Sequence, residues 1–146
     1  MASDMRVVKG TRFQYSTDNG STYTTLTDMV DIGSPAMAKS PKVDKTPLDP
    51  TGGHEYTPGL PDYGEQDFKQ MWNHARQAAL MALYLQTILW RILYPDAALD
   101  ANKSHDDFTG YICDLGKEPM SSVDGRLIIV GKVQLTGQPT FTQGTP

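Results

Sequence analysis

The sequence predicts a mainly β fold, a β-sandwich or barrel flanked by one α-helix, and three observations predict it. Short segments in which apolar and polar residues alternate recur from Phe13 to Phe141. Turn residues punctuate them, at Asp18-Asn19-Gly20-Ser21, Pro58-Gly59, Pro95-Asp96 and Gly137-Gln138-Pro139. One stretch, 75–89, switches to a run of Ala, Leu, Met and Gln without Gly or Pro, which is helix-forming composition.

Taken in order, residues 1–10 read as a tail ahead of the fold. Residues 11–17 alternate Phe13, Tyr15 and Thr17 against Arg12, Gln14 and Ser16, a strand. Asn19-Gly20 adopts positive φ readily and predicts a hairpin turn, with 23–30 as the returning strand. Residues 36–55 read as an extended arm or loop, whose 36–48 part is polar and Lys-rich with Pro41 and Pro47 and fits an edge strand or an extended arm. Residues 56–64 carry Pro58, Gly59, Pro61 and Gly64 and read as turn chemistry rather than a regular element. From 65 to 73, Gln66, Phe68, Gln70 and Trp72 share one face of a strand and Glu65, Asp67, Lys69 and Met71 the other. A helix is predicted over 75–89. Leu80, Leu83 and Tyr84 lie on one side of it and Ile88 on the adjacent one, a stripe wide enough for a deep core or a subunit contact. Strands follow at 90–94, 108–115 and 126–136, the last being the longest predicted, with a loop at 97–107. In 126–136 Gly131 marks a bulge or a close backbone approach.

The composition narrows the function. The chain has 146 residues, 38% hydrophobic and 21% charged, enough to bury a core in one domain over 1–146. Net charge is −4, and no basic patch of the kind that grips phosphates is visible. No apolar stretch is long enough to span a bilayer as a helix, so no membrane insertion is expected. One cysteine, Cys113, allows no internal disulfide.

Candidate chemistry is sparse. His54-Glu55 are neighbours that point apart on a strand, and His105-Asp106-Asp107 has no second cluster at metal-ligand spacing. Cys113 sits mid-strand, where a small buried hydrophobe is the common case. No nucleophile elbow, phosphate loop, dinucleotide fingerprint or zinc helix motif is present. The sequence therefore points to no enzyme, no metal and no cofactor. Trp72 and Trp90 are a candidate aromatic platform for a sugar, against the simpler reading that they pack beneath the helix.

Several segments, in order, resemble the major tail tube proteins of long-tailed, non-contractile bacteriophages. Thr46-Pro47-Leu48-Asp49 is similar to that family's T-x-L-D arm, and Pro58-Gly59-Leu60-Pro61-Asp62-Tyr63-Gly64-Glu65 to its P-G-L-x-D-x-G-E lead-in to a central strand. Residues 90–96 resemble the strand after its helix, Phe108-Thr109-Gly110-Tyr111-Ile112 its F-x-G-Y-V strand, and residues 135–140 its V-T-G-x-P ending. The resemblance runs from about Thr11 to Phe141. It stops short of the immunoglobulin-like domain that some members carry.

The resemblance implies subunits that close into hexameric rings around a continuous inner β-barrel. The rings stack into a virion tail tube that surrounds a tape-measure protein and later conducts double-stranded DNA. It implies contacts with tail terminator and distal tail or baseplate proteins. Glu65, Asp67 and Asp114 are the lumen-facing acidic candidates, opposed by Lys69 and Lys132 if those share the face. Lys39, Lys42, Lys45, Leu48 and Tyr56 are the candidates for contact between subunits or rings. The inner tube of a contractile injection or secretion device and a carbohydrate-binding β-sandwich are the alternatives.

Overall fold

The computed structural model describes residues 9–37, 39–48, 52–119 and 125–144. The expected N-terminal tail falls outside these as far as residue 8, as do positions 38 and 49–51 of the expected arm. Among the described residues the strands are β1 (Arg12–Ser16), β2 (Thr24–Leu26), β3 (Met29–Ile32), β4 (Lys42–Asp44), β5 (Tyr56–Pro58), β6 (Glu65–Met71), β7 (Ile88–Leu93), β8 (His105–Lys117), β9 (Ile128–Leu135) and β10 (Thr140–Thr142). One α-helix, α1 (His74–Leu83), lies between β6 and β7.

Eight strands form one antiparallel sheet in the order β2-β1-β7-β8-β9-β6-β3, with β10 added beside β8. β1 and β6 are four strands apart, a separation of about 19 Å in a flat sheet. Yet the rings of Phe13 on β1 and Phe68 on β6 lie 5.4 Å apart, so the sheet rolls on itself like a barrel. Phe13, Phe68, Trp90 and Phe108 fill the roll, joined by Leu80, Ile112, Ile129 and Val133, all buried. Trp90 stacks on Phe13 at 5.2 Å, and its indole N–H donates to the Gly110 carbonyl at 3.1 Å.

The turn after β1 forms as its residues dictate. Asn19 (φ 61°) and Gly20 (φ 92°) both take positive φ. The Asp18 carboxylate accepts from the Thr22 amide at 2.9 Å, from the Thr22 hydroxyl and from the Ser16 hydroxyl at 2.7 Å. The returning strand is not continuous, however. Asp28, at φ 53°, breaks the expected 23–30 strand into β2 and β3, which occupy opposite ends of the sheet. The Asp28 carbonyl accepts from Met71 N, and its carboxylate pairs with Arg76, so the break is anchored to β6 and α1. β3 is also tied to β6 from inside. The amides of the buried Gln66 and Gln70 donate to the carbonyls of Gly33 and Thr27, which flank β3. Their amide nitrogens are thereby satisfied on the inward face that they share with Phe68, while their side-chain oxygens find no partner among the described residues.

Four other expectations change. The helix ends at Leu83 rather than near 89. Leu85 takes φ 64° and donates its N–H to Ile112 O, and residues 88–93 pair with both β1 and β8. Sheet pairing on two edges outweighs the helix propensity of Leu and Gln. Ile88 is therefore on β7, and Tyr84 is the residue just past the last turn; Leu80 and Leu83 are buried as expected. Residues 56–58, read as turn, form β5, because Pro58 sits on a two-stranded ribbon whose outer edge needs no donor. The loop at 97–107 shrinks to a 3₁₀ turn at Asp100–Asn102 and the start of β8. β8, with 13 residues, is longer than β9, with 8.

Candidate assembly surfaces

Strands β8, β9, β6 and β3 turn one face into the core and the other outward. Phe68 on β6 and Val133 on β9 mark the inward side. The register then fixes the outward rows. Lys132 on β9 lies opposite Asp67 of β6 and opposite Asp114 of β8, and Gln134 lies between Glu65 and Tyr111. Lys69 on β6 lies opposite Asp31 of β3. Directly opposed side chains of an antiparallel pair stand about 5 Å apart. The predicted acids Glu65, Asp67 and Asp114 are thus brought together on one face, and Lys69 and Lys132 share it.

Asp114 reaches that face only through a bulge. Phe108, Gly110 and Ile112 point inward by alternation, which would turn Asp114 inward as well. The register of β8 on β9 slips by one residue between Ile112 and Asp114, so Cys113 is the extra residue. Both Cys113 and Asp114 then lie on the outer side. The Cys113 thiol sits 3.6 Å from the Lys132 carbonyl, and burial, with the nearby Glu65 and Asp114 charges, pushes its pKa up, away from a reactive thiolate.

The electrostatics of the face are paired. Lys69 Nζ lies 2.7 Å from Glu118 Oε1, and Lys132 Nζ lies 3.9 Å from Glu65 Oε2. The hydrogen bond and charge of Glu118, helped by Asp31 and Asp67, hold the Lys69 ammonium protonated above its ordinary range. Asp31 and Glu118 were not singled out in the sequence. The alternation around 65–73 does not reveal what pairs with it, and only the Asp28 crossover brings β3 there.

The second surface is the β4–β5 ribbon. Lys42 pairs with Pro58, Val43 with Thr57 and Asp44 with Tyr56, and a bridge between Lys39 and Asp62 extends the ladder. Lys42 Nζ stands over the Tyr56 ring at 4.7 Å, and Lys45 N donates to Glu55 O at 2.9 Å. His54 Nδ1 lies 3.2 Å from one Asp44 carboxylate oxygen, and the Thr46 hydroxyl donates to the other at 2.6 Å. Of the arm candidates, Lys42 and Tyr56 lie on the strands of this ribbon and Lys39 and Lys45 on its extensions, while Leu48 lies four residues beyond β4. The ribbon lies outside the core, and Val43 and Tyr56 on it, with Leu48 and Leu60 next to it in sequence, are exposed.

A third feature, not anticipated, is an apolar groove of about 440 Å³ between α1 and the end of β8, lined by Gln77, Met81, Tyr84, Leu115, Lys117 and Ile129. Its signal in the sequence was the wide stripe of the helix, but the early helix end is what leaves Tyr84 and Leu85 exposed.

The residues considered for other chemistry are occupied elsewhere. Trp90 is fully buried, so it offers no sugar platform, and the Trp72 indole donates to Gln77. His105 Nδ1 lies 3.0 Å from Asp107 Oδ2 without forming a hydrogen bond, and the Asp107 carboxylate instead accepts from Arg91 Nε at 2.7 Å. Among the described residues no group of three or more His, Cys, Asp or Glu side chains could hold a metal ion, and no helix is long and apolar enough to cross a membrane.

No family model matches the chain, and no curated protein matches it. Solved structures do. A chain of the SPP1 tail tube is similar with a TM-score of 0.62 at 12% identity, over 93% of this chain and 78% of that one. A chain from the tail of an empty GTA particle, refined with C6 symmetry, gives 0.66 at 13% identity, over 94% and 99%. A chain of the sheath–tube complex of PVC, an extracellular contractile injection system, gives 0.70 at 7% identity, over 94% and 90%. At these identities the likeness is one of architecture: the chain shares its fold with chains of the SPP1 tail tube, the GTA tail and the PVC sheath–tube complex.

Proposed function

We propose that this chain, as one domain, is a structural virion protein that polymerises as stacked hexameric rings into a phage tail tube, the conduit through which the genome leaves for the host cell. The observation that carries the reading is the four-strand span β3-β6-β9-β8, which is open at both borders. β3 ends the sheet order, and beyond Ile112 the far edge of β8 faces no strand among the described residues. Free edges of this kind template further pairing. The four strands alternate in direction, so β3 of one copy meets the next copy's β8 antiparallel, and repetition around an axis closes a barrel without edges. The face bearing Glu65, Asp67 and Asp114 then lines the bore. The β4–β5 ribbon, with Val43 and Tyr56 exposed on it and Leu48 and Leu60 next to it in sequence, reaches a neighbouring subunit or ring. The chain acts through these surfaces, without catalysis. Its partners are further copies of itself, a tape-measure protein within, and terminator and distal tail or baseplate proteins at the tube ends.

Negative-stain microscopy of the concentrated protein tests this. Rings or hollow tubes are the expected result. A species that stays monomeric at high concentration, with or without the tube-end proteins, overturns the reading. A second reading, the inner tube of a contractile device, is favoured by the higher TM-score of the PVC chain. A sheath gene beside this one, and decoration of the tubes by its product, would select it.

A further inference from the structure

Ser16, the last residue of β1, is buried although it carries a hydroxyl. That hydroxyl donates to Asp18 Oδ1 at 2.7 Å, which leaves the Oγ lone pairs free to accept the Gly20 N–H at 2.9 Å. The Gly20 amide is therefore held by a buried serine whose own proton an aspartate fixes. Asn19, just ahead of it, is exposed and takes φ 61°. Of the three asparagines in the chain it alone precedes a glycine. Asn73 is engaged by its side chain in capping α1, and Asn102 lies in the 3₁₀ turn.

An exposed asparagine before glycine has a reaction open to it that needs only water. The Gly20 nitrogen gives its proton to a base from solvent and bonds to the side-chain carbonyl carbon of Asn19. The bond from that carbon to Nδ2 breaks, and Nδ2 leaves as ammonia with a proton from water. Water then opens the cyclic imide at either carbonyl, leaving aspartate or isoaspartate at position 19. Glycine has no side chain to crowd the attacking nitrogen or to restrict the backbone around it. The fold acts on the first step. While Gly20 N–H donates to Ser16, its proton is withheld from solvent and its nitrogen is fixed within the turn.

We propose that Asn19 is a site of spontaneous deamidation that the Ser16 hydroxyl holds closed in the folded chain. The inference stands on the turn alone and is independent of the reading of the chain as a tube subunit. Its consequence falls on β2. Isoaspartate routes the main chain through the side-chain carbon and adds a methylene to the turn, so Gly20 N no longer meets Ser16 Oγ. β2 pairs with β1 alone, ends the sheet order and carries Leu26 into the core. A lengthened turn loosens the hairpin that holds this strand.

The experiment follows the tryptic peptide 13–39, in which Asn19 is the one asparagine, by mass spectrometry during incubation in warm, mildly alkaline buffer. The readout is the mass gain of exchanging an amide for a carboxyl, with the isomeric products separated by reversed-phase chromatography. Wild type is compared folded and in guanidinium chloride, beside folded S16A, S16T and N19Q. Folded wild type should convert slowly and unfolded wild type fast. Folded S16A should convert roughly tenfold faster than folded wild type, the factor that one ordinary hydrogen bond represents. S16T keeps the hydroxyl and should stay near wild type, and N19Q should leave the peptide unchanged. Hydrogen exchange of the β8 amides, unaltered in S16A, separates a lost lock from a loosened fold. D18A, which frees the Ser16 hydroxyl to turn away, carries the same expectation and replaces S16A should that variant fail to fold. Folded wild type converting as fast as unfolded, or neither S16A nor D18A exceeding wild type, overturns the proposal.

Discussion

At the scale of single residues, Asp18 shows how a turn sets a charge. Its carboxylate takes hydrogen bonds from the Thr22 hydroxyl and amide and from Ser16, which together lower its pKa from 3.8 to about 2. A carboxyl with a depressed folded pKa adds stability above its unfolded pKa, and that contribution is lost as pH falls towards the folded one. D18N should therefore be less stable than wild type at neutral pH. Denaturant titrations should find the difference closing between about pH 4 and pH 2. Asp44 and Asp100 are lowered too, by Thr46 and by Lys103 respectively as the first cause, so the comparison with D18N is what isolates the turn. The Asn-Gly signal made this site legible in the sequence, because positive φ at two adjacent positions has few other solutions. Asp114 could be placed on a long strand from the sequence, but not on a face of it. Strict alternation from Phe108 buries it, and only the extra residue at Cys113 returns it to the acidic face.

At the scale of elements, α1 begins where its cap dictates. The Asn73 side chain accepts from Arg76 N at 2.8 Å, and N73A should cost about 1 kcal/mol in a chemical melt. Two glycines sit in strands for want of space. A Cβ at Gly131 would lie 2.4 Å from the Phe68 ring, and one at Gly110 would lie 2.4 Å from the Gln134 carbonyl oxygen. G131A should destabilise by about 1–3 kcal/mol, as overpacking does, and adding F68L should recover part of it as a coupling between the two positions. G110A meets backbone, and no single side-chain change should relieve it. Thermal melts of the single and double variants check both statements. Gly131 is thus a close approach, one of the two readings its position in the sequence left open. The strand faces of β6 and β9 were legible from period alone, since one side is buried and the other is not. The end of α1 was not, because Leu85 and Gln86 suit a helix until β1 and β8 compete for the residues that follow. The pairing of β4 with β5 was hidden behind Pro58 and Gly59, whose turn character is real but local.

For the whole molecule, stability and assembly should come apart. The ribbon contributes no residue to the buried core. L48D with L60D should change monomer stability by no more than ~0.5 kcal/mol, as surface substitutions do, while abolishing rings and tubes in micrographs. Tubes that persist in that variant would remove the ribbon from the contact. The fold class could be predicted from alternation and turn residues. The order of strands could not, since β3 reaches the far end of the sheet through a single left-handed residue, Asp28. The open span β3-β6-β9-β8 carries a consequence for size. Because its strands number an even four, every added copy restores the direction of the first, and each junction repeats the one before whatever the copy number. Hydrogen bonding therefore does not count subunits; circumference is set by the bend that twist imposes at each junction. A substitution on β3 or near Lys117 that alters this bend while leaving the backbone ladder intact should produce tubes of another diameter, not broken ones.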